Sequence, residues 1–227
     1  MNHEKLLFAY QHMVPLTSTS LWKKFIKTGV KFVSPNSVYI SSISGNENEI
    51  TIGGGTVVLP NVFFIAPVHI GKDCIIGPGQ VLSGVKIGDN AELGARPSVM
   101  ESDLGNNVRI GRNTEIVRSR IGENSSIQHF SYVGDACVGA GVNIGAGVVV
   151  ANYDGFGKNI THIQENVFVG SNSTIVAPVI VGRESFIGAG TTVRKGVPAN
   201  SVVVGKDRIL SNRRCVKKGK NWIIIKE

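Results

Sequence analysis

From Thr51 onward the chain sets an aliphatic side chain at every sixth position. Ile52, Val58, Phe64, Ile70, Ile76 and Leu82 are each six apart, and after one step of five come Ile87, Leu93 and Val99. The register continues through Leu104, Ile110 and Ile116, then Ile121, Ile127 and Val133, again with a five-residue step between groups. A last run holds Ile163, Val169, Ile175, Val181, Ile187 and Val193, with Val167, Ser173, Val179, Ser185 and Thr191 four residues after the first five of these. A period of six with a small or β-branched residue four positions on fits neither a 3.6-residue helix nor a two-residue meander. It predicts short strands joined by corners, three to a coil of about eighteen residues, in a parallel β-helix of hexapeptide repeats. Both marked positions face inward, and the Gly that often follows the aliphatic is expected at a corner, for positive φ and for a crowded backbone. Each enclosed aliphatic contributes about 1.5–3 kcal/mol, and each coil leans only on its neighbours.

The period covers 51–204. Upstream, residues 1–50 form an N-terminal helical segment: "STSLWKKFIKTGV" predicts a short helix capped at Ser18, Thr19 or Ser20 and ended by Gly29, and residues 3–13 suggest another. Downstream, 205–227 is a basic tail in which "NWIIIKE" reads as a final strand or docking segment with Trp222 as anchor. After Val150 the next core aliphatic is Ile163, so "ANYDGFGKNITH" is a loop thrown off the coil. Loops leaving a rigid scaffold carry function disproportionately.

Net charge is +8, of which the tail holds +6, so the repeat body is close to neutral and does not read as a nucleic-acid binder. No apolar run approaches the ~18 residues of a membrane span. Three cysteines, Cys74, Cys137 and Cys215, lack metal-site spacing, and their odd number argues for reduced thiols in a cytoplasmic protein. Cys74 and Cys137 each fall four residues after a core aliphatic, an inward place. His69 and His162 precede core aliphatics and should face out, whereas His129 stands at a corner. Three histidines can hold zinc between subunits, but the H-x4-H pair is absent, and no metal is predicted.

"HFSYVGDACVGAGVNIGAGVVVANYDGFGKNITHI", continued by "FVGSNSTIVAPVIVG" and "IGAGTTVRKGVP", closely resembles the acetyltransferase half of bacterial N-acetylglucosamine-1-phosphate uridyltransferase / glucosamine-1-phosphate acetyltransferase. The resemblance implies a left-handed β-helix, an exception to the usual right-handed crossover, and a homotrimer with active sites between subunits. It implies acetyl transfer from acetyl-CoA to an amino sugar, glucosamine 1-phosphate by default, in cell wall biogenesis. His129 is then the general base, suited by an ordinary imidazole pKa of about 6.5. Glu115, Arg118, Tyr132, Asn143, Asn152 and Lys158 correspond to acceptor contacts. Ala146, Asn152, Tyr153, Ser171 and Ala189 correspond to acetyl-CoA contacts, and Lys206 or Arg208 is placed to meet a CoA phosphate. The Asn152 amide or backbone N–H groups would face the developing oxyanion.

Two positions depart from the pattern. Val117 stands where the family has a substrate-contacting lysine, and Arg96 is three residues out of step with the family's substrate arginine. No phosphate-binding glycine-rich loop precedes Gly29, so nucleotide-sugar synthesis is not expected. The rival readings are acetylation of another amine (a nucleotide-linked amino sugar or an amino acid), a catalytically inactive trimeric binding scaffold, and a zinc lyase.

Overall fold

The structure, a computed structural model, describes residues 3–42, 49–205, 208–210, 213–218 and 221–226. It is a left-handed parallel β-solenoid of about 9 turns, preceded by a short helical segment. Three parallel ladders form the faces of a triangular prism. The first face includes Glu115–Val117, Tyr132–Gly134, Val149–Ala151 and Thr174–Val176. Ala136–Val138, Thr161–Ile163 and Ile180–Val181 belong to the second. The third includes Arg109–Ile110, Ser126–Ile127, Asn143–Ile144, Phe168–Val169 and Phe186–Ile187. Inside the prism the aliphatics stack in columns: Ile110, Ile127, Ile144 and Val169 on the third face are all buried.

The middle coils contain seventeen residues rather than the expected eighteen, because Ile110 pairs Ile127 and Ile127 pairs Ile144. The missing residue is always lost at the same corner, between the first and second faces. Here Gly84, Glu101, Arg118 and Asp135 adopt left-handed φ of 63°, 49°, 49° and 50°. Residues seventeen apart therefore stand directly above one another. The five-residue step from Val133 to Val138 also corrects the placement of Cys137. Val138 takes the inward place, and Cys137, one before it, alternates outward and is half-buried. Cys74 lies on a six-residue step and is buried as expected.

Of the two reasons expected for the glycine that often follows an aliphatic, crowding rather than positive φ applies. At the corner from second to third face, most left-handed positions go to Asp or Asn, including Asp73, Asn90, Asn107, Asn124 and Asn166, whose short polar side chains tolerate that region, and Gly55, Gly141 and Glu184 take the same place on other coils. The preceding glycines make room for the next coil: at Gly111 a Cβ would lie 2.6 Å from the backbone N of His129 and 2.6 Å from its Nδ1. Small inward hydroxyls knit successive coils. Ser131 Oγ donates to Gly145 O at 3.1 Å and accepts from Val148 N at 3.3 Å, so its burial leaves no polar group unpaired.

The N-terminal segment contains helices His3–Gln11 and Ser20–Lys27, with Thr19 as N-cap residue and Gly29 at φ 85° just past the second. Lys31–Phe32 and Val38–Ser41 already pair in parallel with the coil above, so the ladders begin before the sequence period does. At the C-terminal end Arg213–Lys218 and Asn221–Lys226 form an antiparallel hairpin. The side chain of Trp222, the expected anchor, lies outside the described residues. No helix among the described residues is long and apolar enough to cross a membrane.

Candidate active site

Two edges of the prism carry the residues singled out from the sequence. At the corner from third to first face, Arg112, His129, Ala146, Ser171 and Ala189 occupy equivalent positions on successive coils. The stacking is fixed by backbone bonds: Phe130 N donates to Arg112 O at 3.1 Å, Gly147 N to His129 O at 2.9 Å, Asn172 N to Ala146 O at 2.8 Å and Gly190 N to Ser171 O at 2.8 Å. With coils ~4.8 Å apart, the column from His129 to Ala189 spans about 14 Å. Ala146 is half-buried and Ser171 and Ala189 are exposed, so above His129 the edge is lined by short side chains. Asn143 lies on the third face near this edge, in register with Ser126 below and Phe168 above.

His129 points outward and is half-buried. The Arg112 backbone N–H donates to its Nδ1 at 3.1 Å. A neutral ring accepting there carries its proton on Nε2, so it presents an N–H to the outside. Below it a cleft of about 430 Å³ opens on the third face, lined by Glu92, Arg109, Gly111, Arg112, Gln128 and His129 among others. The neighbour after His129, Phe130, holds a left-handed φ of 59° and is 59% exposed.

The second edge, from first to second face, gathers Arg118, Tyr132, Asp135 and Asn152. Arg118 Nε donates to Asp135 Oδ1 at 2.6 Å and its Nη2 to Oδ2 at 2.7 Å, a two-pronged pair between residues one coil apart. Asn152 Nδ2 donates to Asp135 Oδ2 at 2.5 Å and to Tyr132 OH at 3.3 Å. The guanidinium, followed by the Asn152 amide, holds the Asp135 carboxyl below the usual carboxylate range. Asn152 is buried, and the amide expected to face an oxyanion is thus committed to bracing Asp135. Gly134 leaves room for this packing: a Cβ there would lie 2.5 Å from Tyr132 OH and 2.6 Å from Asn152 Nδ2, so both side chains would have to shift.

From Asn152 the loop leaves the coil as a tight turn. Asp154 Oδ1 accepts from Phe156 N at 2.9 Å and Gly157 N at 2.8 Å, and Oδ2 accepts from Asn159 Nδ2 at 2.9 Å. These donors, led by the Gly157 and Phe156 amides, lower the Asp154 carboxyl to about 2. Tyr153 and Lys158 pair across the turn and are both exposed. Glu115 is exposed on the first face beneath Tyr132. Val117 is buried, and Arg96 sits in a left-handed corner with its stem over Gly79, two coils below Phe130. Arg208 is placed by its backbone alone, in the strand Arg208–Leu210, and Lys206 lies outside the described residues.

The sequence matches the bacterial transferase hexapeptide family (six repeats) over residues 118–152 and 160–195. It also matches the hexapeptide repeat of succinyl-transferase over 67–95 and 84–118. The chain belongs to the hexapeptide-repeat transferases. Within that family it is 36% identical over 205 residues to the bifunctional protein GlmU of Bartonella bacilliformis, a match covering 87% of this chain and 44% of the relative. It is 37% identical over 207 residues to GlmU of Clostridioides difficile, covering 84% and 44%. The chain thus spans less than half the length of these relatives. Among solved structures, the UDP-N-acetylglucosamine acyltransferase of Francisella novicida shares 21% identity over 73% of this chain and 66% of its own, with a TM-score of 0.41. At that distance it adds nothing to the fold described above.

Sequence reasoning passed over Asp135 and Arg112. Both are legible once the coil is known to hold seventeen residues: Asp135 stands seventeen after Arg118, and Arg112 seventeen before His129.

Proposed function

We propose that the protein transfers an acetyl group from acetyl-CoA to the amine of an amino sugar, with glucosamine 1-phosphate as acceptor, and acts as a homotrimer. The observation that carries the reading is the single edge column in which His129 lies directly below Ala146, Ser171 and Ala189. The small residues leave room for an extended pantetheine arm to run down the edge and end at the imidazole. The amine nitrogen attacks the thioester carbon, its proton passes to His129, and the C–S bond breaks to release CoA thiolate, which recovers that proton.

The assembly follows from the separation of the two edges. His129 and the cluster of Tyr132, Asn152 and Lys158 lie on opposite sides of the first face, so one protomer does not bring them around a single small acceptor. An edge-to-edge trimer does, by setting the loop of one protomer against the His129 edge of the next. Supporting this, Phe130, Val149, Tyr153 and Phe156 are 59%, 40%, 63% and 98% exposed on these edges and the face between them. In the assembled site Glu115, Arg118, Tyr132, Asn143, Asn152 and Lys158 serve the acceptor, with Arg118 and Asn152 acting through Asp135. Tyr153 and Arg208 serve the donor.

The tautomer of His129 favours a second reading of its role. With Nδ1 engaged by Arg112, the outward Nε2–H is placed to donate to the thioester oxygen rather than to take a proton. Base catalysis requires the ring to turn over and release that amide. The decisive test uses acetyl-CoA with a panel of amines and reads thiol release. Release only with glucosamine 1-phosphate supports the acceptor; release with an amino acid or a nucleotide-linked sugar moves the protein to another substrate, and none with any amine favours a binding scaffold. His129→Ala is expected to lower kcat by about 10²–10⁴. His129→Gln, which donates a hydrogen bond but takes no proton, separates the two roles: retained activity overturns the base.

A further inference from the structure

Arg112 stands one coil below His129 and lines the same cleft. Its side chain is exposed and makes no ion pair with any described residue, and it was not among the positions marked by sequence resemblance. The other charges of the cleft are already matched: Arg109 Nε lies 3.7 Å from Glu92 Oε2. Within one protomer the other cations marked for the acceptor are engaged or set on other edges. Arg118 Nε and Nη2 are closed on Asp135, the Arg96 stem is drawn over Gly79, and the exposed Lys158 stands on the projecting loop, so it would reach a His129 edge only from a neighbouring protomer. The cleft beneath the imidazole is left with one guanidinium that no described carboxylate pairs, on a residue whose backbone touches the ring.

We infer that Arg112 is the anion-binding residue of the acceptor site, holding the phosphate of an amino-sugar phosphate in the cleft beneath His129. This rests on the reading of the His129 edge as the reacting edge. It divides that edge in two, with the donor above the imidazole along the short side chains and the acceptor below it. A guanidinium offers two parallel N–H donors to a phosphate, which fixes the sugar's orientation as well as its charge. Because the Arg112 backbone N–H holds His129 Nδ1, the arginine that binds the anion also sets the angle of the ring. Substituting the side chain leaves that backbone contact in place, so binding and ring placement are separable.

The test is equilibrium binding by titration calorimetry, without turnover, of glucosamine 1-phosphate and of glucosamine, which carries the same amine but no phosphate. The proteins are the parent, Arg112→Gln, Arg112→Lys and Lys158→Gln. The expected result is at least a tenfold loss for glucosamine 1-phosphate in Arg112→Gln, a smaller loss in Arg112→Lys, and no change for glucosamine. Unchanged affinity in Arg112→Gln, an equal loss for both ligands, or a loss in Lys158→Gln alone overturns the inference. So does a parent that binds the two ligands equally. Since no turnover is needed, the acetyl-transfer reading fails separately: a parent that binds the sugar phosphate through Arg112 and releases no thiol keeps this inference and removes that activity.

Discussion

Gly111→Ala probes the placement of His129 without replacing the imidazole itself. A Cβ at 111 would stand 2.6 Å from His129 Nδ1 and from its backbone N, while ordinary contact begins near 3.4 Å, so the coil above must give by about 0.8 Å. The backbone side of that clash is not relieved by a rotamer change, and overpacking of this kind costs about 1–3 kcal/mol. Loss of the Arg112 N–His129 Nδ1 hydrogen bond adds about 0.5–1.5 kcal/mol. In a chain of this size such a change lowers Tm by about 2–4 °C per kcal/mol. Displacement of a catalytic group by ~1 Å costs as much as 10²-fold in rate, so kcat should fall well beyond what the stability loss explains. Gly105→Ala is the control. Its Cβ would meet Glu123 N at 2.7 Å, the same clash at a corner remote from His129. The two variants should share the overpacking loss of Tm, measured by calorimetry, with Gly111→Ala lower by a further ~1–6 °C for its hydrogen bond, while only Gly111→Ala loses turnover, measured by thiol release. Equal turnover in both variants would refute the claim that this glycine positions the imidazole.

Three further outcomes follow from other parts of the molecule. The Asp135 carboxyl sits below its ordinary value because Arg118 and Asn152 bind its charged form, so its contribution is present above the unfolded pKa of about 3.9 and disappears as pH falls through the folded value. Asp135→Asn should therefore cost about 1–3 kcal/mol at neutral pH and flatten the decline of Tm below about pH 4; an acid limb identical to the parent's would count against the pair. Phe156, 98% exposed at the loop tip, should be buried in the trimer, so Phe156→Ser should shift sedimentation toward monomer at low concentration; an unchanged profile removes the loop from the interface. In a Cys215→Ser background, a thiol reagent should label half-buried Cys137 well before Cys74, whose burial both hides its thiol and raises its pKa; the reverse order would return Cys137 to the core.

The repeat was legible because burial forces it: an aliphatic at every sixth position has no other regular structure to occupy. The same rule misplaced Cys137, because it treats each step as six residues while Val133 to Val138 is five. Positive φ and crowding are both expected at corner glycines, and at Gly111 crowding decides: a Cβ there would strike His129, eighteen residues on, and no local pattern identifies that neighbour. Likewise, His129 and Asn152 were marked by sequence resemblance, but the commitment of the Asn152 amide to Asp135 and Tyr132 depends on vertical neighbours.

Those vertical neighbours explain how the solenoid tolerates the loop. The insertion between Ala151 and Thr161 lies in the passage from first to second face, after the His129 edge has been passed. The following coil returns to register, since Asn143 pairs Phe168 and Ala146 O still accepts from Asn172 N. The edge column from His129 to Ala189 is therefore uninterrupted although the chain between Ala146 and Ser171 is longer than one coil. An insertion of the same length between Asn143 and Ala146 would break that column, whereas at its present corner it adds a projecting turn and leaves the ladders paired. Its root is fixed where the corner is already rigid, at Asn152 against Asp135 and Arg118. That arrangement gives the exposed Tyr153, Phe156 and Lys158 a defined direction away from their own His129 edge, as the proposed trimer requires.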